Sequence, residues 1–397
     1  MLAVIGIVLF AFSLRSAVAS LSPVVGQIGD EFPVSAALVG LIGTAPTVCY
    51  AVFGILTPAL ERRFGLERLV VAAMLVATIG LVSRAFAVDG GTLLASTAVI
   101  FAAVGVGNVL VPPLVKKYFP DRIGLMTTIY SSMLSISTFV PPLVAVPVAD
   151  AASWRLSLGM WAVFAAVAMI PWIGLLRRER DSDVDVDLAP PEGQVLARLW
   201  RLPMAWALVV AFLISGALAY SSFAWMPQIL IDLADVTPAA AGALLSLFAA
   251  MGLPTSLLVP VLVVRFHATG TLFGVAVVSG LGGVAGLLFA PSAAPWLWVT
   301  LLGIATLLFP MTLVLLGVRS RTHEGAVALS GFVQSVGYGF AAVFPFAIGL
   351  IHEATDSWTG ALIVLGVVIV AAIPAGLIAS RRRTIEDEWE RRHGPWV

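Results

Sequence analysis

The chain has 397 residues, of which 60% are apolar and 11% charged, and its formal net charge is zero. Soluble domains run at about 45–50% apolar and about 25% charged. A water-soluble fold of this length is therefore excluded, a disordered chain needs the opposite composition, and the charge balance gives no sign of nucleic-acid binding.

Continuous apolar runs, cut by charges and turn residues, predict helices at 2–30, 34–60, 66–88, 92–117, 122–149 and 154–176. A polar segment follows at 177–200, carrying the run DSDVDVD at 181–187. A second set is predicted at 202–231, 237–264, 269–290, 294–319, 323–352 and 357–380, and a polar tail occupies 381–397. Each run reaches the roughly 20 apolar residues that cross a bilayer. Alternating segments of about 10 residues, the mark of a membrane β-barrel, do not occur. The first run starts without a basic lead-in, unlike a cleaved signal peptide.

The two sets echo each other at an offset of about 200 residues. Ala11-Phe12 recurs as Ala211-Phe212, Pro58 with Arg63-Phe64 as Pro260 with Arg265-Phe266, Gly124 as Gly325, and Trp154 as Trp358. The expected fold class is an all-α membrane protein of twelve transmembrane helices in two pseudo-symmetric six-helix halves. The halves are 1–176 and 201–380, joined by a cytoplasmic linker at 177–200 and followed by a cytoplasmic tail at 381–397. Apart from Arg15, Arg84 and Arg155, every Lys and Arg falls on one side. The positive-inside rule makes that side cytoplasmic, so a multi-pass protein of the inner membrane with both termini cytoplasmic is expected. Arg84 and Arg155, near the other face, are expected to snorkel or to pair with Asp89 or Asp150.

Cys49 is the lone cysteine, which rules out an internal disulfide or a cysteine metal cluster. The four histidines are scattered, and no phosphate-binding loop of the ATPase type is present. Neither a cofactor nor a metal is expected. An enzyme would need clustered catalytic groups at membrane depth, and a sensor would usually carry an added soluble domain.

Arg15 is the sharpest single signal. It lies about 20 Å along the first run at 1.5 Å per residue. A charge at mid-bilayer costs about 2.5–3.5 kcal/mol and usually faces a cavity or a partner. No acidic residue sits at matching depth, which points to an anion held by the planar guanidinium, with snorkelling as the alternative. Asn108, in Gly105-Val106-Gly107-Asn108, can orient a polar solute or bond a neighbouring helix. Ser330, Gln334 and Tyr338 fall at i, i+4 and i+8, on one helical face. Tyr220 and Trp225 suit an aromatic wall for a planar solute, with an interface-belt role as the alternative for Trp225.

Several stretches are more specific. GVGNVLVPPLVKKYFPDRIGLMTTIYSS at 105–132, FAWMPQILIDLADVTPAAAGALLSLFAAMGLPTSLLVP at 223–260, ALSGFVQSVGYGFAAVFPFAIGLIHEATDSWTG at 328–360 and ERRFGLER at 61–68 resemble the cyanate and 2-nitroimidazole transporter branch of the major facilitator superfamily. The chain departs from that branch in two places. Ser13-Leu14-Arg15-Ser16 stands where the branch commonly has Asn-Leu-Arg-Pro, and Ser215 stands where it often has Gln. Both are expected at cavity positions, so cyanate itself is not carried over. The resemblance also implies a gating loop at Glu61, Arg62, Arg63 and Gly65, where Arg62 holds the usual acidic position and Glu61 is the neighbouring carboxylate.

Together these imply a secondary transporter working by alternating access around a midplane site on helices 1, 4, 7 and 11. The expected solute is a small anion or a planar nitrogen heterocycle. Arg15, Asn108, Tyr220, Trp225, Gln334 and Tyr338 are the expected binding residues. A broad drug exporter is the alternative within the class; the missing intramembrane acid argues against it. That absence fits a facilitator, or a symporter whose solute carries the coupling proton. The lipid bilayer is the expected partner and a monomer the expected state.

Overall fold

Proline cannot donate a backbone hydrogen bond, and its ring collides with the carbonyl four residues back. In this chain it accompanies the breaks in several late crossings, while Gly90–Tyr118, Ile123–Ala151 and Pro203–Ala234 run on through their prolines. The computed structural model describes residues 2–178 and 198–394. Among them, 11 helices are long and apolar enough to cross a membrane, from Ala36–Thr57 to Thr359–Ala379. Their ends fall within a few residues of the predicted runs. Most of the 177–200 linker lies outside the described residues.

Four of the last five crossings are each interrupted part-way. The pairs are Pro238–Ala250 with Gly252–Val264, Pro295–Ala305 with Leu308–Val318, His323–Ala341 with Val343–Thr355, and Thr359–Val370 with Ala372–Ala379. In each, a proline follows the break within one turn: Pro254, Pro310, Pro345 and Pro374.

The first crossing departs from its prediction. The run at 2–30 is not one helix. Leu2–Ser13 is helical, residues 14–21 are turn and bend, and Ser22–Val24 and Val25–Gly29 resume as a 3-10 turn and a short helix. The gap falls on Arg15.

The chain divides into two compact units. The first comprises Met1–Ala189 and Ser222–Ala250. Here Gly90–Tyr118 packs against both Ala36–Phe64 and Leu66–Ala85, and Pro238–Ala250 lies along Ile123–Ala151. Glycines permit the closest approaches. A Cβ on Gly105 would sit 2.8 Å from the Cys49 carbonyl oxygen, and one on Gly107 would sit 2.4 Å from Leu14 Cδ2. At one end, Leu21, Val24, Ile28, Phe32 and Trp154 form an apolar cluster. Glu31 sits beside it, accepting from Trp154 Nε1 at 2.9 Å and from Arg155 Nη1 at 2.6 Å. Arg155 also lies over the Trp154 ring, 4.2 Å from its centroid. Its acidic partner is thus Glu31 rather than Asp89 or Asp150. Asp89 caps Gly90–Tyr118 by accepting from Thr92 N at 2.7 Å, and Asp150 accepts from Gln27 Nε2 at 2.6 Å.

The second unit comprises Pro190–Ser221 and Met251–Val397. Its crossings pack around Thr269–Phe289, which lies against Pro295–Ala305 and Thr359–Ala379. Within the polar tail, Ile385–His393 is a docked helix opened by a capping box of Thr384 and Asp387. Glu386 is buried, 1% exposed, and accepts from Ser320 Oγ at 2.8 Å, Arg321 N at 3.0 Å, and Thr322 N and Oγ1 at 3.2 Å. Glu388 Oε2 accepts from Met204 N at 3.0 Å, in the first turn of Pro203–Ala234. A helix N-terminus carries unsatisfied N–H groups and partial positive charge, so a carboxylate is stabilised there.

Candidate functional site

In the first unit the site is built on the gap. A chain inside a bilayer must satisfy its backbone polar groups internally, and non-helical backbone at depth is tolerated only where protein buries it or water reaches it. Both edges of the gap are held by side chains from other crossings. Before Arg15, the Phe12 carbonyl accepts from Ser137 Oγ, of Ile123–Ala151. After it, the Ala17 carbonyl accepts from Arg84 Nη1 at 3.3 Å and Ser20 Oγ accepts from Arg84 Nη2 at 3.2 Å. Arg84 is wholly buried in Leu66–Ala85. It neither snorkels nor forms an ion pair among the described residues, which corrects the expectation that it reaches the interface.

Arg15 is half-buried, and its guanidinium carbon lies 5.8 Å from the centroid of the Tyr50 ring. That face-on arrangement favours a cation through the ring quadrupole. Tyr50 in turn meets Phe101 edge-on at 6.2 Å. Asn108 is half-buried, one residue beyond the Gly107 that packs on Leu14. Its amide has no hydrogen-bond partner among the described residues.

In the second unit, Tyr338 meets Tyr220 at 6.4 Å and Phe212 at 4.8 Å between ring centroids. Gln334 donates from Nε2 to Ser330 Oγ at 2.7 Å. The three polar positions 330, 334 and 338 therefore share one face, and Tyr220 joins them through Tyr338. Trp225 belongs to the first unit and is 4% exposed. Ser215, expected at a cavity, is buried and donates to the Thr306 carbonyl at 3.2 Å. That carbonyl lies four residues before Pro310, which cannot donate to it, and it also accepts from Phe309 N at 2.9 Å.

The Major Facilitator Superfamily model matches residues 4–342. The chain belongs to that superfamily. Its crossings thus make a multi-pass membrane transporter for a small molecule, not an enzyme. It is 31% identical to "Uncharacterized transporter YycB" of Bacillus subtilis over 392 residues, 98% of this chain and 96% of that one. Over 387 residues it is 31% identical to the "2-nitroimidazole transporter" of Escherichia coli, covering 96% and 95% of the two chains. The "Cyanate transport protein CynX" of Escherichia coli is 25% identical over 375 residues, 92% and 94% of the two. In fold, a bacterial homolog of the human lysosomal transporter Spinster superposes with a TM-score of 0.74 at 15% identity, over 98% and 97% of the chains.

The superfamily loop expected at 61–65 has a definite form here. Gly65 ends Ala36–Phe64 with φ of 81°, a left-handed value that suits glycine. Its N–H donates to the Glu61 carbonyl at 2.7 Å. Glu61 is half-buried, and Arg63 is exposed with its guanidinium 5.5 Å from the Phe64 ring centroid. The Arg62 side chain lies outside those described. The buried carboxylate of this region is Glu67, two residues past Gly65. It accepts from Lys117 Nζ at 2.8 Å and Tyr118 Oη at 2.9 Å, tying the start of Leu66–Ala85 to the end of Gly90–Tyr118. Glu67, Ser137 and the gap-holding role of Arg84 were not legible in the sequence. A signal existed only for Arg84, a charge inside an apolar run.

Proposed function

We propose that this transporter moves a small anionic or planar nitrogen-containing solute across the cytoplasmic membrane by alternating access, with Arg15 as the residue that takes its negative or polar end. The observation that carries this reading is the loss of helix around Arg15. Transporters of several folds place binding sites at discontinuous helices near the bilayer midplane, and an ionisable residue at that depth faces a cavity or a partner. Asn108 orients the solute from the first unit. Tyr220, Gln334 and Tyr338, gathered within the second unit, are further candidate binding residues. The 2-nitroimidazole and cyanate transporters among the relatives support a small, flat or anionic solute. No carboxylate occupies the middle of a crossing in the sequence, so a facilitator, or a symporter whose solute carries the proton, fits best. Both termini lie in the cytoplasm, as the distribution of Lys and Arg requires.

The test is a thermal-shift series on purified protein with benzoate, cyanate and 2-nitroimidazole, since a ligand that binds only the folded state raises Tm. Benzoate or cyanate stabilises the wild type, Arg15→Gln abolishes the shift, and Arg15→Lys restores part of it, because an ammonium lacks the planar fork. Equal shifts in all three proteins remove Arg15 from the site.

A further inference from the structure

Arg84 is a wholly buried cation whose chemistry no transport step above uses. Its Nε has no hydrogen-bond partner among the described residues, and no carboxylate pairs with it there. A buried charge without a counter-charge is unfavourable unless hydrogen bonds compensate. Two of its nitrogens make such bonds, to the Ala17 carbonyl and the Ser20 hydroxyl, both inside the non-helical gap. Ser137 holds the Phe12 carbonyl at the other edge. Arg15 therefore sits on a short arch pinned at residues 12 and 17. Local turn bonds, such as Val18 N to the Arg15 carbonyl at 3.1 Å, and the packing of Leu14 on Gly107 also act within the arch.

We propose that Arg84 is a positioning residue: its guanidinium fork fixes the 14–21 arch and thereby sets where the Arg15 side chain meets the solute. This rests on the reading of Arg15 as solute-binding. A fork is needed because two acceptors, a carbonyl and a hydroxyl, must be met at once, and a single ammonium cannot match their geometry. Arg84 touches no solute itself.

Two measurements on the purified full chain test this. The first, hydrogen–deuterium exchange, needs no solute. Arg84→Gln and, as a milder change that leaves the buried charge in place, Ser20→Ala should both raise exchange in peptides covering 14–21 while leaving 90–118 unchanged. Unchanged exchange at 14–21 in Ser20→Ala and in whichever Arg84 variant folds, Gln or Lys, overturns the proposal. The second uses benzoate affinity in a double-mutant cycle. Arg84→Lys should weaken benzoate roughly 2–13-fold, the span of one hydrogen bond, in a wild-type Arg15 background and distinctly less in an Arg15→Lys background, which keeps part of the binding but lacks the fork to be positioned. Equal losses in both backgrounds mean a general structural role and overturn it. If Arg15→Gln alone leaves benzoate affinity unchanged, the reading of Arg15 has failed instead, and exchange at 14–21 still decides whether Arg84 holds the arch.

Discussion

Ser215 and Pro310 show how single residues settle each other's hydrogen bonding. Pro310 deprives the Thr306 carbonyl of its i+4 donor, and the Phe309 N–H, at 2.9 Å, and the Ser215 hydroxyl donate to it instead. Ser215→Ala should lower stability by about 0.5–1.5 kcal/mol. In a Pro310→Ala background, where residue 310 regains an N–H, the same change should cost little; a thermal-unfolding cycle of the four proteins checks this. Glycine positions offer a second contrast. An added methyl at Gly105 meets the backbone oxygen of Cys49, while one at Gly107 meets side chains only, a terminal methyl of Leu14 and the Phe10 ring. Gly105→Ala should therefore destabilise by about 1–3 kcal/mol and Gly107→Ala by less, as read from paired melting curves. Ser215 was expected at a cavity because the resembling branch often has Gln there, and its hydrogen-bond partner, 91 residues away, was not visible in the sequence.

Elements were legible to the extent that hydropathy alone defines them. Uniformly apolar runs of sufficient length fixed eleven crossings, since lipid rewards length and apolarity with little regard to partners. The first crossing escaped because a gap is a balance between lost helical bonds and replacement bonds. Its replacement donors, Ser137 and Arg84, are distant in sequence. The Ile385–His393 helix escaped for a related reason. Its charges, which mark a solvated tail when read alone, are satisfied by the turn at 320–322 and by the start of Pro203–Ala234. Burial pushes the Glu386 carboxyl up, but the N–H of Arg321, its own N–H, the Ser320 hydroxyl and the Thr322 N–H bond its charged form and leave it below the usual 4.5. A depressed carboxylate contributes stability above its unfolded-state pKa and loses it as pH falls through the lowered value. The docked helix should thus be intact at neutral pH and loosen below about pH 4.5. Protease sensitivity after residue 380 should rise over that interval, and Glu386→Ala should release the helix at pH 7, at a cost of about 1.5–3 kcal/mol.

At the scale of the whole molecule, the orientation follows from charge rather than from packing. A cysteine replacing Ser182, which lies outside the described residues, in a Cys49→Ala background should resist an impermeant thiol reagent in intact cells and react after the membrane is opened. Labelling from outside would reverse the topology. The internal repeat, weak in sequence, carries a difference between the halves. In the first unit the buried acid near the basic end, Glu67, belongs to a crossing helix. In the second, Glu386 comes from beyond the last crossing. Synthesis runs from the N-terminus, so the ribosome makes the first acid before the crossing it secures and the second only after every crossing has been made. A chain cut short after residue 380 would still insert all its spans, yet leave four donors at 320–322 without their acceptor. A product cut there differs from the longer chain in a turn that proteolysis can sample.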